Sequence, residues 1–60
     1  MAPLSSEEIR EKARELFVKR GQEAVTFAEW EAVGHEDAGR WDEARLWRMI
    51  AGTVLGMIDA

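Results

Sequence analysis

The stretch that decides the fold is residues 41–58, which run WDEARLWRMIAGTVLGMI. Large apolar side chains recur in it at the spacing of an α-helix, within about 140° of one another on a helical projection. We therefore predict a helix over residues 41–58. Its core-facing residues are predicted to be Trp47, Ile50, Ala51, Val54, Leu55 and Ile58.

The opposite side of this predicted helix carries no charge between Arg48 and Asp59. A helix without a polar face is typical of a position that is buried on all sides. Two further short helices are too few to cover it completely, so part of its apolar surface is expected to remain exposed. A contiguous exposed apolar patch marks an interface, and C2 dimers are the commonest oligomers. The sequence therefore favours a homodimer, with a self-association surface of Met49, Gly52, Thr53, Gly56 and Met57. The alternative is that Gly52 and Gly56, spaced for close helix approach, pack against another helix of the same chain.

Two earlier segments each begin with a helix start signal. Ser5 and Glu8 have the spacing of a capping box, and Leu4 and Ile9 that of a hydrophobic staple. Gly21 is placed to end this first helix, which is predicted over residues 5–20. Ile9, Ala13, Leu16, Phe17 and Arg20 are predicted to share one face of this helix.

The second start signal consists of Thr26 with Glu29, and Val25 with Trp30 as its staple. It predicts a second helix over residues 26–38 with Gly39 as the stop, although Gly34 inside a helix costs about 1 kcal/mol relative to alanine. Phe27, Trp30, Gly34 and Ala38 are predicted to share one face of this helix, with Trp41 as a further candidate. No alternating strand pattern occurs. The prediction is an all-α, compact three-helix domain over residues 1–60.

Acidic residues are concentrated in the middle of the chain. The 60 residues contain 12 Asp+Glu and 8 Lys+Arg, and residues 21–39 contain five acids and no Lys or Arg. This distribution argues against nucleic-acid and anionic-membrane partners and favours a basic protein partner. The predicted partner-binding residues are Glu29, Glu31, Glu36, Asp37 and the partly exposed Trp41. The other two tryptophans, Trp30 and Trp47, are predicted to fill the core.

No signature of catalysis or cofactor binding is present in the sequence. Cysteine is absent, which excludes disulfides and thiolate metal sites, and the glycines are too dispersed for a phosphate loop. The single His35 has Glu31 one turn before it, so a metal site would require two copies of the chain. We therefore predict no enzyme activity, no cofactor and no metal. The longest apolar run, residues 49–58, is half of the ~20 residues that span a bilayer, and no targeting signal is seen, so the expected location is cytoplasmic.

Two segments resemble known families. Residues 9–21, IREKARELFVKRG, followed by Ala24-Val25-Thr26, are similar to the opening helix of TetR-type repressors. That resemblance implies DNA binding by a following helix-turn-helix, but Trp30 and His35 stand where the motif has a small and an apolar residue. Trp30-x-x-Val33-Gly34 and Gly39-Arg-Trp-Asp-Glu-Ala44 are similar to elements of one tetratricopeptide hairpin, two residues too close together.

The sequence thus predicts a small, non-enzymatic interaction or accessory protein, of the kind encoded by mobile elements or compact genomes. It would self-associate through its C-terminal helix. The alternative is a small DNA-binding transcriptional regulator with a degenerate helix-turn-helix, in which Arg40, Arg45 and Arg48 contact phosphates.

Overall fold

The computed structural model describes residues 5–59, which form three α-helices: α1 (Ser6–Arg20), α2 (Glu23–Asp37) and α3 (Trp41–Asp59). No strand occurs within residues 5–59. α3 packs most extensively on α2 and also contacts α1, while α1 and α2 meet over a smaller area. The all-α, three-helix prediction is confirmed.

The ends of α1 are those predicted from the sequence. The Ser5 hydroxyl accepts a hydrogen bond from the Glu8 N–H, and the Glu8 carboxylate accepts one from the Ser5 N–H, both at 3.2 Å. At the other end Gly21 adopts a positive φ of 61°, and its N–H donates to Phe17 O at 2.7 Å. A side chain would be strained at that φ, so glycine suits the position. The Leu4 half of the predicted staple lies outside the described residues.

The predicted start of α2 is wrong by three residues. α2 begins at Glu23 with Gln22 as its N-cap, and Thr26 lies inside the helix rather than capping it. The reason is that the turn after Gly21 is already helical: Ala24 N–H donates to Gly21 O and Val25 N–H donates to Gln22 O. The predicted Val25–Trp30 staple therefore does not mark a helix start.

The core face of α2 also differs from the prediction. Three alanines at i, i+4, i+8 are buried, Ala24, Ala28 and Ala32, whereas Trp30 is 77% exposed. Small side chains on this face let α2 lie close to the rest of the core. Trp30 lies on the opposite side of the helix, so its assignment to the core is wrong.

The centre of the core joins all three helices. Ile50 and Val54 of α3 are its largest fully buried side chains, and Ile9 and Ala13 of α1 pack into the same cluster as Ala24 and Ala28 of α2. Half-buried residues surround it: Leu16, Phe17, Val25, Leu46, Trp47, Met57 and Ile58.

Aromatic contacts close one side of the core. The rings of Phe27 and Trp47 meet edge to face, with 5.9 Å between centroids, which confirms the packed position predicted for Trp47. The Arg20 guanidinium lies 4.0 Å from the Phe27 ring centroid. Arg20 therefore covers the edge of the core while remaining exposed, as a cation–π contact allows.

The predicted core stripe of α3 is right except at one position. Trp47, Ile50, Ala51, Val54 and Ile58 belong to the core cluster, but Leu55 is 50% exposed. Leu55 lies at the edge of the stripe, where the rotation of the helix decides its burial. Gly39, with a positive φ of 78°, forms the turn between α2 and α3, as predicted for the stop of the second helix.

Candidate interaction surfaces

An uncovered apolar surface of α3 faces away from the core. Met49 is 49% exposed and Leu55 50% exposed, and the two glycines between and beside them are also exposed. Charged residues on the same side, Arg45 and Asp59, lie toward the two ends of the helix. We name this surface the α3 face; it comprises Arg45, Met49, Gly52, Leu55, Gly56 and Asp59.

The glycines of the α3 face are not explained by packing within the chain. A Cβ built on Gly52 or Gly56 meets no other atom within 4 Å, apart from immediate neighbours and the local helix backbone, in the structure of residues 5–59. The alternative that these glycines pack closely against α1 or α2 is therefore wrong. Alanine at either position would fit within the monomer.

Only part of the predicted self-association set lies on this face. Met49, Gly52 and Gly56 are exposed, whereas Thr53 and Met57 are half-buried. The Thr53 hydroxyl donates a hydrogen bond to Met49 O at 2.8 Å, and Met57 packs against the core. Leu55, which the sequence reasoning placed in the core, is a member of the α3 face that it missed.

A shallow groove borders the α3 face on the side of α2. Val25 and Glu29 of α2 form one wall, and Arg48, Gly52 and Leu55 of α3 form the other, with Ala51 at the base. Toward the Gly39 turn, Arg48 makes an ion pair with Glu36 across the two helices. The groove is thus lined mainly by apolar or small residues and bounded by charge.

The residues of the predicted acidic partner site do not share one environment: some lie next to basic side chains and others are unpaired in the described part of the chain. Glu36 is paired with Arg48, and Glu31 lies 3.8 Å from the His35 ring. Glu29 and Asp37 are exposed and make no ion pair with any residue in the range 5–59. Trp41 is 64% exposed and opens α3, both as expected from the sequence, so it lies on a different helix from the four acids.

The corner between α2 and α3 holds a polar cluster around His35. Arg40 Nε donates a hydrogen bond to His35 Nδ1 at 2.9 Å, and Glu43 Oε2 lies 3.1 Å from the same nitrogen. Nδ1 of His35 thus lies within hydrogen-bond distance of a donor, the Arg40 guanidinium, and of an acceptor, the Glu43 carboxylate. This cluster ties the end of α2 to the start of α3.

Neither a metal cluster nor a membrane-spanning element is found in the described part of the chain. No group of three or more His, Asp or Glu side chains within residues 5–59 is arranged to hold a metal ion. No described helix combines the length and apolar character needed to cross a bilayer.

The arginines of the DNA-binding alternative are largely engaged with other side chains. Arg48 pairs with Glu36, and Arg40 contacts both His35 and Glu43. Arg45 is exposed on the α3 face. The alternative would therefore require two of its three arginines to exchange carboxylate or imidazole partners for phosphate.

Comparison with protein families, with curated proteins and with solved structures finds no match to this chain.

Proposed function

We propose that this protein is a non-enzymatic interaction module that self-associates through the α3 face. The observation that carries the proposal is the pair of exposed glycines at Gly52 and Gly56, which nothing within residues 5–59 requires. Each costs roughly 1 kcal/mol of helix stability relative to alanine. A second helix lying against this face uses the space that they leave.

The order of residues along the α3 face suits an antiparallel pair of α3 helices. With the two-fold axis at Gly52, residues equally far from it in sequence face each other. Met49 then meets the partner's Leu55, Gly56 meets the partner's Arg48, and Arg45 meets the partner's Asp59. Apolar groups thus meet beside the axis, each Arg48 lies in the space left by a glycine, and opposite charges meet at both ends, where specific interfaces have a polar rim.

The size of the face sets the expected affinity. One face of a single 19-residue helix is at the small end of specific interfaces, which typically bury 1,200–2,000 Å² in total. We therefore expect a reversible dimer with a dissociation constant in the micromolar range, about 8 kcal/mol of binding free energy.

The other sequence-based predictions concern the class of partner, the location and the absence of catalysis. The pairing of Arg40 and Arg48 with other side chains supports a protein partner over DNA. A cytoplasmic location and the absence of catalysis stay predictions from the sequence.

The test places a bulky charge at the centre of the proposed interface. Gly52→Arg and Gly56→Arg should each give a monomer by sedimentation equilibrium at concentrations where the wild-type chain is dimeric. Arginine favours helix over glycine, so the circular dichroism signal should be retained. The matched control is Gly34→Arg, the same exchange at an open position of α2, which should leave the dimer intact. Dimers that persist in both α3 variants would overturn the proposal.

A further inference from the structure

A second exposed apolar surface lies on α2, on the side away from the core. Trp30 is 77% exposed and Val33 is 51% exposed. Thr26 lies one turn before Trp30, and Gly34 one turn after it, both exposed. We name Thr26, Trp30, Val33 and Gly34 the α2 face. It runs along the helix axis for more than two turns.

Negative charge surrounds the α2 face. α2 contains five acidic residues and no Lys or Arg. Three of them are exposed near this face, Glu23, Glu29 and Asp37, and none of the three makes an ion pair with another residue of the described range 5–59. The other two point toward His35 and Arg48. The carboxylates around the face therefore remain available to a partner.

The exposed tryptophan and the unpaired carboxylates together indicate what kind of partner would bind the α2 face. Tryptophan is the side chain most enriched at binding hot spots, and exposing it costs the hydrophobic free energy of its large surface. Uncompensated carboxylates attract a partner of opposite sign and fix its orientation. An apolar stripe along a helix with acids beside it matches a helix that has the reverse pattern, an apolar stripe flanked by lysines or arginines.

We infer that the α2 face is a docking site for a basic amphipathic helix of a partner protein, anchored by Trp30. This goes beyond self-association, because the α2 and α3 faces are formed by different helices and share no residue. A basic partner was expected from the sequence. The anchor assigned here, however, is Trp30 rather than Trp41, which belongs to α3.

The test uses a defined peptide in place of the unknown partner. The probe is a helical 14-residue peptide with two LKKLLKL repeats, titrated into ¹⁵N-labelled protein and followed by NMR. The Gly52→Arg background keeps the chain monomeric, so that a failure of docking is distinguishable from a failure of dimerisation. The control peptide has glutamate at every lysine position.

Docking at the α2 face predicts shifts confined to the Trp30 indole and the amides of Thr26, Val33, Gly34 and Asp37. The Trp30→Ala variant should weaken binding at least tenfold, and so should Glu29→Lys combined with Asp37→Lys, whereas Trp41→Ala should leave it within twofold. Raising the salt concentration should weaken binding, and the glutamate peptide should not bind.

Three outcomes would overturn the inference. One is no binding of the lysine peptide at millimolar concentration, and another is a shift pattern centred on α3 or unaffected by Trp30→Ala. The third is that Trp30→Ala lowers the molecular mass of the wild-type chain in solution, because the α2 face would then be covered by a second copy.

Discussion

The guanidinium of Arg48 donates a hydrogen bond to Oε1 of Glu36 and ties α3 to α2 beside the groove. Both side chains are partly exposed, 53% for Arg48 and 32% for Glu36. Solvent therefore screens their attraction, and we expect a coupling free energy of about 0.2–1 kcal/mol. A double-mutant cycle with Glu36→Gln and Arg48→Gln in urea unfolding should give that value, reduced in 1 M salt. No coupling at low salt would contradict the pairing.

Replacing Gly34 with alanine should stabilise the fold. α2 continues through Gly34, and a Cβ there meets no other atom within 4 Å in the structure of residues 5–59. The variant should gain roughly 0.5–1 kcal/mol in the free energy of unfolding, because alanine loses less backbone entropy in a helix. The matched control is Gly39→Ala, where φ is 78°; strain should lower the free energy of unfolding by about 1 kcal/mol. Destabilisation by Gly34→Ala would mean that α2 is interrupted there.

The burial pattern of α2 predicts different effects on stability at two neighbouring positions. Ala28 is fully buried, so Ala28→Leu should overpack the core and lower the free energy of unfolding by about 1–3 kcal/mol. Trp30 is largely exposed, so Trp30→Ala should change that free energy by no more than about 0.5 kcal/mol. Thermal or urea unfolding measures both. A larger loss at Trp30 than at Ala28 would show that α2 is rotated the other way.

A charge exchange tests the orientation of the proposed dimer. Arg45→Asp places two acids together at each end of an antiparallel α3 pair, and Asp59→Arg places two bases there. Each single variant should weaken dimerisation about three- to tenfold, whereas the double variant should recover most of the loss, since opposite charges meet again. If the loss in dimerisation free energy of the double variant equals the sum of the losses of the two single variants, this antiparallel arrangement is excluded.

The sequence was sufficient for the elements whose signals are local. Ser5, Glu8 and Gly21 determine the ends of α1 through hydrogen bonds between residues three or four positions apart in the chain. The bounds of α1 were therefore predicted to within one residue. The α3 prediction succeeded because its apolar stripe is long and strongly periodic. The predictions of α1 and α3 depend on capping residues and on apolar periodicity, and both can be identified in the sequence alone.

The orientation of α2 could not be obtained in this way. Thr26 and Glu29 have the spacing of a capping box, but hydrogen bonds to Gly21 and Gln22 begin the helix earlier. Phe27 and Trp30 suggest one apolar face and the three alanines another, and only packing against α1 and α3 selects the alanines. The exposed tryptophan, and with it the α2 face, was missed for that reason. The Ala24-Ala28-Ala32 spacing was the available signal.

The most direct measurement is the molecular mass by light scattering over a dilution series from millimolar to low micromolar protein. Self-association through the α3 face predicts a mass near twice 6.8 kDa at high concentration, falling to 6.8 kDa on dilution. It also predicts that Gly52→Arg remains at 6.8 kDa throughout. A wild-type chain that is monomeric at every concentration, or a Gly52→Arg chain that dimerises as the wild type does, would contradict it.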